Sequence, residues 1–146
     1  DIRNRIYFDD EKIILYAPTF RDNLHRLKPF DEEGWGMLNS TLLEINCSMY
    51  IIKHQFDYNL EVPRGFSNIF DAKDFNLEFQ ELLIASDVLA TDWSSCLFDY
   101  LLTGRPMMFH TYDLEDYLVN SRSMYYELEE ILPGPRSENA AEFCEN

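Results

Sequence analysis

Residues 85–102 read ASDVLATDWSSCLFDYLL, and this stretch decides the fold. Its apolar run, residues 88–90, is too short for a helix and is typical of a buried strand. Residues 91–95 read TDWSS, and short polar side chains of this kind begin helices. Apolar residues with helical spacing follow: Cys96, Leu97, Tyr100 and Leu101. The stretch therefore predicts a strand, a hydroxyl-rich turn and a helix that Gly104 ends.

This order of elements is typical of a phosphate site. The free N–H groups of a helix's first turn, together with the positive end of the helix dipole, attract an anion. We interpret Ser94 and Ser95 as phosphate-binding residues, with Thr91 and Asp92 beside them. Ser and Asp are also common helix caps, so a junction of this kind needs no ligand, and that alternative stays open.

The rest of the chain alternates strands with helices. Further strands are predicted at residues 12–17, 48–54, 68–70 and 106–110. Further helices are predicted at residues 31–44, 75–86, 112–118, 125–131 and 138–146, the last capped by Ser137. Alternation without hairpin signals indicates an α/β fold, a Rossmann-like parallel sheet with helices on both faces. We expect a single domain over residues 1–146.

Two candidate residues follow predicted strands, at the sheet edge where α/β proteins bind ligands. Arg21 follows the first strand and His54 follows the second. A surface arginine capping a turn and a structural histidine are the alternatives.

Composition limits the partners. The chain has 27 acidic and 12 basic residues, a formal net charge of −15, so nucleic acid and anionic lipid are not expected as direct partners. Any anionic ligand needs a local positive pocket.

No apolar run in the sequence approaches the roughly 18 residues of a membrane span. No metal-ligand spacing, dinucleotide motif or P-loop motif is present, so no metal and no cofactor is predicted.

Three segments carry a resemblance to a known family. Residues 14–22 read ILYAPTFRD, residues 89–117 read LATDWSSCLFDYLLTGRPMMFHTYDLEDY, and residues 121–135 read SRSMYYELEEILPGP. Together they resemble the CDP-glycerol:poly(glycerophosphate) glycerophosphotransferase family of teichoic acid polymerases. The resemblance implies a GT-B architecture of two Rossmann-like halves, of which this chain is the carboxyl-terminal, nucleotide-binding half.

The resemblance also implies roles for individual residues. The family's TDYSS is matched by residues 91–95, with Trp93 in place of tyrosine. Its strand end of the form basic residue–x–His is matched by Lys53 and His54 with a changed order, because Lys53 directly precedes His54. Its arginine before an aromatic stretch is matched by Arg122. His54 is therefore expected to be catalytic, as a donor to the transferred group. The residues expected to bind the donor substrate are Thr91, Asp92, Ser94, Ser95, Arg122 and Arg21.

The implied reaction is displacement at phosphorus. A hydroxyl of the polyol-phosphate polymer attacks the β-phosphorus of CDP-glycerol, or of a related CDP-polyol, and CMP leaves. The family's general base is a histidine of the amino-terminal half, so this chain alone is expected to be inactive. The whole enzyme is expected in the cytoplasm, peripheral on the inner face of the cell membrane.

Two alternatives stay open at this point. The chain resembles in outline the nucleotide half of any GT-B transferase, including one that uses a UDP- or GDP-sugar. A non-catalytic flavodoxin-like interaction domain, with its acidic face as a docking surface, is the other.

Overall fold

The computed structural model describes residues 12–21, 28–53, 60–120 and 132–146, without the side chains of Leu118 and Asn120. Within them the strands are β1 (Lys12–Tyr16), β2 (Cys47–Ile51), β3 (Ile69–Asp71), β4 (Val88–Thr91), β5 (Met107–His110) and β6 (Arg136–Ser137). The helices are α1 (Glu32–Glu44), α2 (Phe79–Ala85), α3 (Cys96–Leu101), α4 (Leu114–Asn120) and α5 (Ala140–Glu145), with a 3-10 helix at Ala72–Phe75.

These strands form one sheet, in which every pair is parallel. Across the described residues the order is β3-β2-β1-β4-β5-β6. The chain runs outward from β1 to β3 and then returns to place β4 on the other side of β1. This reversal leaves a crevice at the carboxyl ends of β1 and β4, where open α/β sheets bind ligands. The predicted Rossmann-like α/β fold is confirmed.

Apolar side chains cover both faces of the sheet, as central parallel strands require. Ile13 and Leu15 of β1 pack with α2 and α3 on one face. Ile14 and Tyr16 pack with α1 and α5 on the other. Because β1 is apolar on both sides, its sequence is a continuous apolar run rather than an alternating one. Among the helices of the described ranges, none has the length and apolar content needed to span a bilayer.

The helix predicted over residues 75–86 is wrong in its first part. A 3-10 helix ends at Phe75, and α2 begins only at Phe79. Asn76 between them has a φ of 50°, in the left-handed region, which interrupts the helical hydrogen bonds. Glu78 and Glu81 then form the capping box that begins α2.

The carboxyl-terminal helix also begins later than predicted. Asn139, rather than Ser137, caps α5 by accepting a hydrogen bond from the N–H of Glu142. Ser137 lies instead in β6, a two-residue strand that the pattern did not predict. Gly134 permits this pairing, because a Cβ at that position would lie 2.1 Å from the carbonyl oxygen of Met107.

A buried histidine links β5 to its surroundings. The Nδ1 of His110 lies 3.0 Å from the hydroxyl of Ser137, and its Nε2 lies 2.9 Å from the carbonyl oxygen of Pro29. Its ring stacks on Phe30, with the ring centres 4.5 Å apart. Burial lowers the pKa of His110 below its ordinary value, so the ring is packed as the neutral form.

Candidate functional site

A cleft of about 670 Å³ opens at the carboxyl edge of the sheet, in the crevice beside β1 and β4. Its walls come from the segments that follow β1, β2 and β4, together with the beginnings of α2 and α3 and part of α4. The lining residues are Ala17, Pro18, Thr19, Phe20, Ile52, Lys53, Phe79, Trp93, Ser94, Ser95, Cys96, Asp99 and Tyr117. The candidate site thus lies at the edge that the sequence predicted.

The carboxylate of Asp92 joins two walls of this cleft. The backbone N–H of Thr19 donates to both of its oxygens, at 3.0 and 2.9 Å, and the Thr19 hydroxyl donates to Oδ1 at 2.6 Å. The N–H of Ser94 donates to the same Oδ1 at 3.1 Å. Asp92 therefore fixes the segment after β1 against the start of the turn that carries Ser94 and Ser95.

Arg21 connects the segment after β5 to the segments after β1 and β4. Its Nε and Nη2 donate to the two oxygens of Asp113, at 2.7 and 2.8 Å, and its Nη1 lies 3.0 Å from Oδ2 of Asp92. The guanidinium also lies 4.6 Å from the ring centre of Trp93 and 5.2 Å from that of Tyr117. Planar, bidentate and stacked contacts of this kind are specific to arginine. The ends of β1, β4 and β5 are held together by this one side chain.

The electrostatics of this cluster follow from its burial. Burial lowers the pKa of Arg21, but the hydrogen bond to Asp113 and the charges of Asp92 and Asp113 raise it by more, so Arg21 remains charged. Burial raises the pKa of the Asp92 carboxyl above its ordinary value, although the charge of Arg21 and the bonds from Thr19 oppose that rise. The two aspartates occupy a buried site only because Arg21 compensates them.

Ser94 and Ser95 lie in the cleft itself. Ser94 is half-buried and Ser95 is exposed. Ser95 stands at the N-cap position of α3, yet its side chain makes no capping hydrogen bond. The hydroxyl cap that the sequence allowed as an alternative is therefore absent at Ser95, which lines the cleft.

The other site residues predicted from the sequence lie behind the cleft or outside the described residues. Thr91 is fully buried and donates its hydroxyl to the carbonyl oxygen of Ala17 at 2.6 Å. Arg21 is 6% exposed and Asp92 is 1% exposed. This geometry favours a positioning role for all three, and direct ligand contact by them stays a prediction. His54 and Arg122 lie outside the described residues.

Sequence reasoning missed several residues of the site. Asp113 is the partner of Arg21, and it follows β5 by three residues, so the rule that selected Arg21 also applied to it. Thr19 and Phe79 line the cleft as well, and neither was predicted, although Thr19 follows β1 as Arg21 does. In the part of the chain that the structure describes, no group of three or more His, Cys, Asp or Glu residues is placed to hold a metal ion.

Comparison with known proteins places this arrangement in a family. The model of the family described as CDP-Glycerol:Poly(glycerophosphate) glycerophosphotransferase matches residues 2–146. The chain is 36% identical to a teichoic acid poly(ribitol-phosphate) polymerase of Bacillus spizizenii, over 92% of this chain and 23% of the relative. It is also 36% identical to a teichoic acid poly(glycerol phosphate) polymerase of the same organism, over 86% of this chain and 33% of the relative.

Solved structures of a teichoic acid polymerase resemble this chain as well. The wall teichoic acid polymerase TagF superposes with a TM-score of 0.76 at 31% identity, over 99% of this chain and 35% of TagF. A single-residue variant of TagF soaked with CDPG gives a TM-score of 0.74, also at 31% identity, over 99% of this chain and 34% of that one. The chain thus spans about a quarter to a third of the length of these relatives. On the family match over almost its full length, together with this fold, the chain belongs to the CDP-glycerol:poly(glycerophosphate) glycerophosphotransferase family.

Proposed function

We propose that this chain is the donor-binding domain of an enzyme that transfers a polyol phosphate from a CDP-activated donor to a teichoic-acid-like polymer. Glycerol phosphate and ribitol phosphate are the candidate groups, because relatives of both names match the chain. The observation that carries the proposal is the pair Ser94 and Ser95 in the cleft at the sheet's carboxyl edge. The resemblance to a TagF variant soaked with CDPG supports the same donor class.

The geometry suits displacement at phosphorus. The acceptor hydroxyl attacks the β-phosphorus of the donor, the bond to the bridging oxygen breaks, and CMP leaves with that oxygen. Such a reaction needs fixed hydrogen-bond donors around the transferred phosphoryl group rather than covalent chemistry by the protein. The hydroxyls of Ser94 and Ser95 can donate to it. Asp92 holds the turn in place through Thr19 and Ser94, so the donors need little reorganisation.

Further parts of the enzyme complete the proposal. His54 is proposed as a catalytic donor to the transferred group and Arg122 as a further donor-binding residue. An amino-terminal half of a GT-B architecture is proposed to supply the general base and to bind the polymer acceptor. The domain of residues 1–146 is proposed to bind the nucleotide and to be inactive alone. We propose that the whole enzyme works in the cytoplasm, peripheral on the inner face of the cell membrane.

The family match also bears on the two alternatives that the sequence left open. A GT-B transferase that uses a UDP- or GDP-sugar has the same fold, but the matching relatives are named as teichoic acid polymerases. A flavodoxin-like interaction domain does not account for that family match. The CDP-polyol donor is therefore the favoured ligand.

Calorimetric titration of the chain with CDP-glycerol tests the proposal. We expect the Ser94→Ala/Ser95→Ala double variant to bind it about tenfold or more weakly, because each lost hydrogen bond to a charged group is worth roughly 1.5 kcal/mol or more. Ser40→Ala is the matched control, because Ser40 is exposed on α1 and donates to the carbonyl oxygen of Gly36. Its affinity should equal that of the wild type.

Two results would contradict the proposal. Equal affinity of the double variant and the wild type would show that Ser94 and Ser95 do not bind the donor. Tighter binding of UDP-glucose than of CDP-glycerol would assign the cleft to a different transferase.

A further inference from the structure

We propose that Lys53 supplies the positive charge that binds the donor's phosphates in this cleft. The inference rests on the proposed function and deepens it, because it assigns the counter-charge for the diphosphate. Lys53 follows β2 directly, lines the cleft and is half-buried. The pairing of β2 with β1 brings Lys53 to the same edge of the sheet as Ser94, although the two residues are 41 positions apart in the sequence.

The other lysines and arginines of the described residues do not line the cleft. Arg21 lies behind the cleft wall against Trp93, and its guanidinium is bound by Asp92 and Asp113 and is 6% exposed. Among the lysines and arginines of the described ranges, Lys53 is the one that lines the cleft. The rest lie outside the cleft lining: Lys12, Lys28, Arg64, Lys73, Arg105 and Arg136.

A backbone carbonyl holds Lys53 in place. Its Nζ donates to the carbonyl oxygen of Leu60 at 3.1 Å. A lysine ammonium has three N–H donors, so this bond leaves others for an incoming phosphate. The bond also restricts a long side chain before the ligand arrives, which reduces the entropy that binding would otherwise cost. Leu60 therefore acts to position Lys53.

The charge of the described cleft lining favours this role for Lys53. Asp99 also lines the cleft, so without Lys53 its described lining would carry only negative charge. The whole chain has a formal net charge of −15. A diphosphate entering such a cleft would meet repulsion that serine hydroxyls alone do not offset. With Lys53 present, an ammonium and two hydroxyls can surround the phosphates.

Calorimetric titration of the chain with CDP-glycerol and with uncharged cytidine tests the assignment. We expect Lys53→Met to weaken CDP-glycerol binding about tenfold or more, as the loss of a charge-assisted hydrogen bond does, and to leave cytidine binding unchanged. Lys53→Arg should retain most of the affinity. The wild type should lose affinity for CDP-glycerol as salt rises, and Lys53→Met should lose less.

Lys12→Met is the matched control. It removes the same charge at the amino end of β1, opposite the cleft, where the Lys12 side chain is 67% exposed and pairs with Asp87 at 3.6 Å. Its affinity for CDP-glycerol should stay close to that of the wild type.

The outcomes separate the two proposals. If the wild type and Lys53→Met bind CDP-glycerol equally, the role of Lys53 is wrong and the donor-binding function stands. If Lys53→Met weakens cytidine as much as CDP-glycerol, Lys53 shapes the cleft rather than binding phosphate, and the proposal is again wrong. If the wild type binds neither ligand, both proposals are overturned.

Discussion

At the scale of single residues, the site is organised by Arg21. Its bidentate pair with Asp113 and its contact with Asp92 connect three strand ends, and its flat face packs against Trp93. A buried charge is tolerated only when its partners are complete, so this cluster acts as a unit. The consequence is that the cleft's walls depend on a residue that is itself hidden from the ligand.

Substitution of Arg21 tests this dependence. Arg21→Lys keeps the charge but loses the bidentate geometry and the stacking, so we expect the free energy of unfolding to fall by about 2–4 kcal/mol. Urea denaturation of the chain measures the change. Arg64→Lys is the control, because Arg64 is 76% exposed and lies 4.0 Å from Asp74. Equal stability of the two variants would show that the buried cluster has no special dependence on a guanidinium.

At the scale of elements, the edge strand β6 depends on a close approach of two backbones. Gly134 lies so near Met107 that a methyl group would overlap the carbonyl oxygen, at 2.1 Å. The neighbouring hydrogen bond runs from the N–H of Phe109 to the carbonyl oxygen of Pro135, at 2.9 Å. A single glycine therefore decides whether the last strand joins the sheet and whether α5 follows it onto α1.

A pair of glycine substitutions tests this contact. Gly134→Ala should lower the free energy of unfolding by about 2 kcal/mol or more, because the backbone must move away and the pairing of β5 with β6 weakens. Gly36→Ala should raise it by roughly 0.5–1 kcal/mol, since alanine is the better helix former. Gly36 lies inside α1, and a Cβ there would meet nothing within 4 Å. Thermal unfolding compares the two, and stabilisation by Gly134→Ala would contradict the steric account.

At the scale of the whole molecule, pH acts on stability through a buried histidine. Burial lowers the pKa of His110 below its ordinary value of 6.5. Hydrogen bonds to Pro29 and Ser137, and the charges of Asp113 and Glu142, oppose this only in part. The unfolded chain therefore takes up a proton at His110 at a higher pH than the folded chain does. The contribution of the neutral ring is complete above about pH 6.5 and is lost as the pH falls toward the folded pKa.

Unfolding measured across this range tests the effect. We expect the wild type to lose up to about 1.4 kcal/mol of unfolding free energy per pH unit below pH 6.5. His110→Gln should be less stable at pH 7.5 but should lose less on acidification to pH 5.5, because the titrating group is gone. His25 and His54 are present in both proteins, so the difference between the two slopes reports His110. Parallel slopes would contradict the assignment.

The sequence by itself determined the alternation of strands and helices and the position of Ser94 and Ser95 in the turn before α3. Apolar periodicity predicted β1, α1, β2, β4, α3 and β5 close to their observed bounds, because backbone hydrogen bonding and burial of a stripe follow local spacing. The turn with Ser94 and Ser95 was predicted for the same reason. The break at Asn76 and the two-residue strand β6 were missed, since each depends on one backbone conformation or on one contact with a distant strand.

Only the tertiary structure decided which side chains meet. The partners of Arg21 and Thr19 are Asp113 and Asp92, separated from them by 92 and 73 residues. Strand order sets these pairings, and a single sequence does not record which strand lies beside which. The same holds for Lys53, which reaches the cleft because β2 pairs with β1. Local chemistry thus determined what each strand end carries, and the fold determined that the strand ends form one site.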